Sequence, residues 1–434
     1  MNICKDRAFE LLQRISFERI AGTDKELECA NMLKEECEKV GVEAVIEEFE
    51  IDMPEILEVS LEVTSPTPMM IPCIGIGKSG QTPDEGITAP FVYAEDGLAA
   101  NLMDCKGKIV LLTGALKPEV KETLKKAEVA GVIQAIGSLY DPQELIDELR
   151  PRNMMKKPGE EFDIPCVAIH ITEAQKMVLA NTQEVKMVLK QDADKKGTSH
   201  NVVATIKGTE KPEEIITFSA HFDSVMYSPG AWDNGTGSVT IMEIMHHFLK
   251  NPAKRTLQFV WCGSEEIGLC GSRAFTEQHK EELSKHLFNI NVDMTGVLLG
   301  YDTAVCSCDH SVANYIDFIG KLEGYPISTK VEMYPSDSSS FVQAGVPAVT
   351  FARLAPKGGM EIHCRRDTME FLDPTAFIKT VEFMITFAEP VVNAKVFPVS
   401  KTFPKEITEA LEKFKKMFGM DNKPKEEKKE EKKD

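Results

Sequence analysis

One stretch constrains this chain more than any other: residues 215–272, IITFSAHFDSVMYSPGAWDNGTGSVTIMEIMHHFLKNPAKRTLQFVWCGSEEIGLCGS. Its two apolar runs, Ile215–Ala220 and Thr256–Cys262, are β-rich and too short for buried helices. They predict core strands of a sheet covered on both faces. Between them, Asp233-Asn234-Gly235-Thr236-Gly237 opens a helical pattern from Ser238 to Leu249. Strand, polar turn, helix and strand make a βαβ unit. Such units bind ligands beyond the carboxyl ends of their strands. There the first run leads into His221-Phe222-Asp223 and the second into Ser264-Glu265-Glu266.

The flanking sequence extends the same α/β pattern. Ala8, Leu11, Leu12 and Ile15 predict a short amphipathic helix over 5–15, and a second helix over 24–41 is capped by Thr23 or Asp24 and stopped by Gly41. Strands are predicted at Val42–Ile51 and Glu58–Val63, at Asn201–Lys207, at Leu287–Val292 running into Asp293, and at Ala348–Phe351 ahead of His363. Helices are predicted over Val312–Leu322 and 374–392. From about Ser65 the character changes. Proline and glycine cluster at 65–90, followed by strands at 107–112, 131–136 and 164–169 with helices over 117–130 and 172–181. This part has no cluster of ligand-type residues, and its isolated His170 reads as a core or surface histidine. The expected division is a discontinuous α/β domain, 1–64 and 196–400, an inserted domain, 65–195, and a C-terminal helix with a charged tail, 401–434. The final DNKPKEEKKEEKKD has no apolar residue to bury.

Composition excludes several function classes. A formal net charge of −19 over 434 residues argues against a nucleic-acid partner, because phosphate binding needs a basic surface. No segment approaches the ~18 consecutive apolar residues that cross a bilayer, so no membrane association is expected. The first residues, MNICKDRAFELLQRI, hold scattered charges and no apolar core of a secretory signal. The eleven cysteines are dispersed without a CxxC pair, and Cys306-Ser307-Cys308 reads as buried strand thiols. Reduced thiols in a cytoplasm are the expectation.

The polar residues at strand ends are His221, Asp223, Asp233, Glu265, Glu266, Asp293 and His363. Two imidazoles and several carboxylates suit zinc or a similar divalent ion. One ion needs about three protein ligands and water, and this set supplies more, so two divalent ions are expected. Two ions ~3.5–4 Å apart can share a bridging carboxylate and hydroxide. Glu265 and Glu266 adjoin at the end of a buried strand, where like charges repel and want a cation. One of the pair can ligate while the other takes a proton from metal-bound water. Asp223, two residues after His221, is placed to hold that imidazole.

The pieces AHFDS, PGAWDNGTG, GSEEIGLCGS, NVDM, YPSDSSSF and IHCRRDT resemble metallopeptidase family twenty-eight, the two-zinc aminopeptidase family that includes glutamate carboxypeptidases and glutaminyl cyclases. The resemblance covers roughly 1–60 and 196–395. It implies a three-layer α/β/α zinc-exopeptidase fold with a mixed, mostly parallel sheet. It implies that His221 and Asp293 bind one zinc, Glu266 and His363 the other, and that Asp233 bridges them. It makes Glu265 the general base and Asp223 the residue orienting His221. GKIVLLTG, KAEVAGVIQAI and IPCVAI make the inserted domain similar to a protease-associated domain.

The sequence departs from the family in two places. His363-Cys364-Arg365-Arg366-Asp367-Thr368 brings two arginines beside the last ligand, to bind a substrate carboxylate or, the favoured reading, to form surface salt bridges. Relatives often place a transition-state tyrosine near the Ser-Asp motif; here Tyr334 lies two residues before Ser336, and it is not counted in the catalytic set. The implied function is hydrolysis of N-terminal residues from peptide substrates. The alternatives are a carboxypeptidase or dipeptidase on the same site, a glutaminyl-cyclase-like transferase and a non-catalytic binding protein.

Overall fold

A computed structural model of the chain describes residues 3–154, 156 and 159–417. The charged tail expected over 421–434 lies outside the described residues. Eight strands form one sheet in the order Ala44–Asp52, Lys196–Ile206, Arg255–Cys262, Lys211–His221, His286–Val292, Ala348–Leu354, Tyr301–Ser307 and Ile327–Lys330. The four in the middle, from Arg255–Cys262 to Ala348–Leu354, are parallel. Antiparallel pairings flank them on both sides, so the sheet is mixed and largely parallel, as the resemblance implies. His221 pairs with Cys262 and Val292 with Phe351. The four parallel strands thus end side by side, and every predicted site residue follows one of those ends or the turn before Gly237.

The middle strands are apolar throughout because both faces are covered. Ile216, Phe218 and Ala220 point to one face, together with Leu257, Phe259 and Trp261. They pack under helices Lys5–Ile15, Asp24–Lys39, Gly237–Lys250 and Pro374–Val392. On the other face Val260 and Cys262 meet Phe275 and Phe341, from the short helices Cys270–Gln278 and Ser338–Gln343. Thr23 caps the second helix by accepting from the Glu26 N–H, and Pro374–Val392 matches its predicted bounds. Cys306 is buried within the strand Tyr301–Ser307, as read from the sequence, whereas Cys308 is buried just beyond its end.

A second sheet of nine short strands takes in residues from Glu55 to Asp192. This corrects the expected boundary at residue 65. The strand predicted at Glu58–Val63 is Glu55–Ser65, and it pairs antiparallel with Glu184–Asp192 in the second sheet. Alternation of apolar and polar residues announces a strand but not which sheet it joins. His170 is buried, bonded to Asp141 at 3.1 Å and to Thr172 at 2.9 Å, a structural histidine of the second sheet.

Phe218 stacks on Phe259 with ring centroids 5.2 Å apart at the centre of the main core. We expect Phe218→Ala to lose about 3–5 kcal/mol of stability in urea denaturation. A loss below about 1 kcal/mol would mean that this layer does not carry the core.

Candidate metal centre

The site is built from four strand ends and one turn. His221 closes the strand Lys211–His221, and its Nε2 lies 3.2 Å from Asp233 Oδ1 and 3.6 Å from Asp293 Oδ1. His363 Nε2 lies 3.1 Å from Asp233 Oδ2 and 2.9 Å from Glu266 Oε2. Two three-residue sets result, His221–Asp233–Asp293 and Asp233–Glu266–His363, sharing one aspartate with one oxygen turned to each set.

The turn that carries Asp233 is fixed from several sides. Asp367 accepts from the N–H of Trp232 at 2.7 Å and of Asp233 at 3.1 Å. The Asn234 amide donates to Val292 O at 2.8 Å and accepts from Met294 N at 3.0 Å, tying Asp233 to the strand end that presents Asp293. A Cβ on Gly237 would come within 2.2 Å of the side-chain Oδ1 of Asn234, which is why the helix opens on glycine. The buried Arg19 donates to the carbonyls of Pro229 and Gly230. Ser264 and His363 take left-handed backbone, φ 54° and 62°, where non-glycine residues are sparse and functional residues concentrate.

Asp223 was expected to orient His221. Its Oδ1 stands 3.5 Å from Nδ1, and its two oxygens accept from the N–H of Glu265 at 2.9 Å and of Glu266 at 3.2 Å. It therefore fixes the pair of glutamates first and faces the imidazole second. Glu265 belongs to neither ligand set. Burial pushes its carboxyl well above the usual range, with Asp337, Asp293 and Glu266 adding to the rise. Asp337, within YPSDSSSF, is fully buried with neither oxygen hydrogen-bonded, and burial raises it to about 6. Tyr334 lies within electrostatic reach of Asp293, Asp233 and Glu265, and burial raises its phenol.

The donors fit a pair of divalent ions. His221 Nε2, Glu266 Oε1 and Asp293 Oδ1 are buried with no hydrogen-bond partner, which native proteins avoid unless something else satisfies such atoms. Burial opposes charge on His363, yet Asp233 and Glu266 hold it up to about 10; His221 rises likewise against its burial. Asp233 is driven below the usual range by both imidazoles against the effect of its own burial. These are carboxylates recruiting the nearest cations. Neutral imidazole and carboxylate donors in this number suit zinc.

A mixed α/β sheet whose parallel strand ends hold two ligand sets around a shared aspartate defines a two-metal hydrolase centre. Residues 201–388 match the model of peptidase family M28. The chain resembles that family over somewhat less than half of its length. It is 32% identical over 286 residues to Aminopeptidase YwaD of Bacillus subtilis, covering 64% of this chain and 58% of that protein. It is 27% identical over 372 residues to mouse Carboxypeptidase Q, covering 82% and 78%. The structure of a zinc aminopeptidase from Bacillus subtilis superimposes with a TM-score of 0.76 at 23% identity, over 94% of this chain and 99% of that one. An aminopeptidase from Aneurinibacillus sp. strain AM-1 gives 0.71 at 20% identity, over 92% and 96%. At those identities the likeness is one of fold.

Sequence reasoning quoted Asp367 and Asn234 within motifs but gave them no role. Both act on backbone N–H and C=O groups that only the folded chain brings to them. Asp367→Asn replaces an acceptor with an amide and should lower zinc affinity by roughly 10–100-fold in chelator competition; unchanged affinity would refute the role.

The pH dependence has a definite sign. His363 at about 10 lies above its unfolded value, so its contribution to the stability of the metal-free protein is complete below the unfolded value and lost as pH rises through about 10. Metal needs the neutral imidazole, so affinity rises with pH over the same window. Zinc uptake near neutral pH should release protons, read by calorimetry in buffers of different ionisation enthalpy. Heat independent of the buffer would contradict this.

Proposed function

We propose that this protein is a two-zinc exopeptidase, foremost an aminopeptidase, that hydrolyses the peptide bond next to a free N-terminus. The observation that carries the reading is Glu265: a buried carboxyl beside both ligand sets yet outside them, on a backbone pinned by Asp223. A general base belongs there, because a proton acceptor with a raised pKa works best near neutral pH. The names of the relatives, an aminopeptidase and a carboxypeptidase, support peptide substrates.

His221, Asp233 and Asp293 would hold one ion and Asp233, Glu266 and His363 the other. When bound, the ions polarise the scissile carbonyl and lower the pKa of water. Glu265 takes the proton of the attacking water and passes it to the leaving amine. Tyr334, kept protonated by burial, is placed to donate toward the oxygen where charge develops. Both ligand sets are complete, which weighs against the single-metal cyclase and the binding-protein alternatives. We further assign the second-sheet region as an inserted domain similar to a protease-associated domain. The eleven cysteines, all free, support a reducing compartment such as the cytoplasm.

Glu265→Gln should reduce turnover of unblocked peptides by about 10²–10⁴-fold, while calorimetry still counts two zinc ions per chain. Full activity in that variant, or activity on N-blocked peptides equal to that on free ones, would overturn the reading.

A further inference from the structure

The two imidazoles of the metal centre are held in different ways. His221 ends a central strand of the main sheet and its side chain is 1% exposed. The His363 side chain is 33% exposed and stands on the irregular stretch between the strand Ala348–Leu354 and the turn Met369–Phe371, in left-handed backbone. Asp367 ties one end of this loop to the bridging turn. Nearer His363, the loop is tied to another part of the chain.

The short helix Gln143–Asp147 of the second-sheet region lies against it. Arg365 donates to Glu148 at 2.5 Å and Arg366 to Glu144 at 2.6 Å. The Glu148 N–H donates to Glu144 O at 3.2 Å, so the two glutamates sit one helical turn apart on one face and meet adjacent arginines. Arg365 also lies over the Tyr227 ring, 5.2 Å from its centroid, and 3.9 Å from Glu18. Tyr227 follows the strand that ends in His221, and Glu18 follows the first helix. The two arginines are thus engaged as salt bridges between the two parts of the chain, the reading favoured from the sequence. Arg365 alone joins the ligand loop to three distant segments.

Half-exposed ion pairs add little to the stability of a whole domain. Their leverage here is local, because they act two and three residues beyond a ligand. When a ligand-bearing loop has more than one arrangement, affinity falls by the fraction of time spent out of the competent one. Fixing the loop from outside removes that loss for the set Asp233–Glu266–His363. The set His221–Asp233–Asp293 has its histidine fixed by the sheet and gains nothing.

We propose that Glu144 and Glu148 are positioning residues for the metal centre: through Arg366 and Arg365 they hold His363 in its ligand set, and so set the affinity of one zinc ion and not of the other. This goes beyond the peptidase reading, since zinc affinity is set in this way whether or not peptides are cleaved.

The test is a chelator-competition titration of the full-length, metal-free protein with zinc, which yields two constants. In Glu144→Gln/Glu148→Gln we expect one constant to weaken by about 3–30-fold and the other, which reports an intact fold, to stay within about twofold. Arg365→Gln/Arg366→Gln should do the same. The shared direction separates positioning from a simple effect of charge. Acting through space alone, carboxylates strengthen and guanidiniums weaken the binding of a cation, so the two pairs of variants would then shift affinity in opposite directions. Combining all four substitutions should weaken zinc no further than either pair does, because each pair already breaks the same contacts. In a His363→Ala background the remaining constant should not respond to either pair. Opposite shifts, additive losses, equal weakening of both constants, unchanged constants, or a response in the His363→Ala background would each overturn the role of Glu144 and Glu148.

Discussion

The Asp233 carboxylate is the interaction on which the rest depends. Each of its oxygens faces a different histidine, at 3.2 and 3.1 Å, and no other residue belongs to both ligand sets. A bridging carboxylate is useful only if its angle and depth are fixed, because an error of about 1 Å would favour one set over the other. Hence the turn around it is held through its backbone. Asp367 takes two N–H groups, Asn234 joins it to the strand ending at Asp293, and Arg19 pins the carbonyls before it. These contacts ask little of the neighbouring side chains and much of the chain path.

A second network separates the work of Glu265 from that of Glu266. Asp223 accepts from both of their N–H groups, and Ser264, just before them, bonds Ser199 at 2.6 Å. Ser199 in turn bonds Glu26, a fully buried residue of the second helix that also accepts from Gly22 N at 3.0 Å. The N-terminal helices therefore reach the base through a chain of buried polar contacts. Low local dielectric makes such a network strong when every member is satisfied. Adjacent glutamates in sequence end with only Glu266 in a ligand set, because the backbone between them is held in one orientation.

The second-sheet region meets the centre by charge. Glu144 and Glu148 bind the arginines of the last ligand loop.

Local pattern made the four parallel strands, the long helices that cover one face of them and the seven polar residues beyond them legible, because period, length and the abrupt change from apolar to polar residues are properties of short windows; the separate roles of those seven came only with the family resemblance. The βαβ rule placed His221, Glu265 and Glu266 at one rim before any coordinates. What the sequence left open depends on long-range pairing: that Glu55–Ser65 joins the second sheet, that Asp223 serves the glutamates more than His221, that Asp367 and Asn234 hold the bridging turn, and that Glu144 and Glu148 take up the two arginines after His363. Residue type and spacing decide which chemistry a chain can carry. Which carboxylate ligates, which stays free and which cation faces them are set by backbone directions and by burial, and those exist only once distant segments have packed.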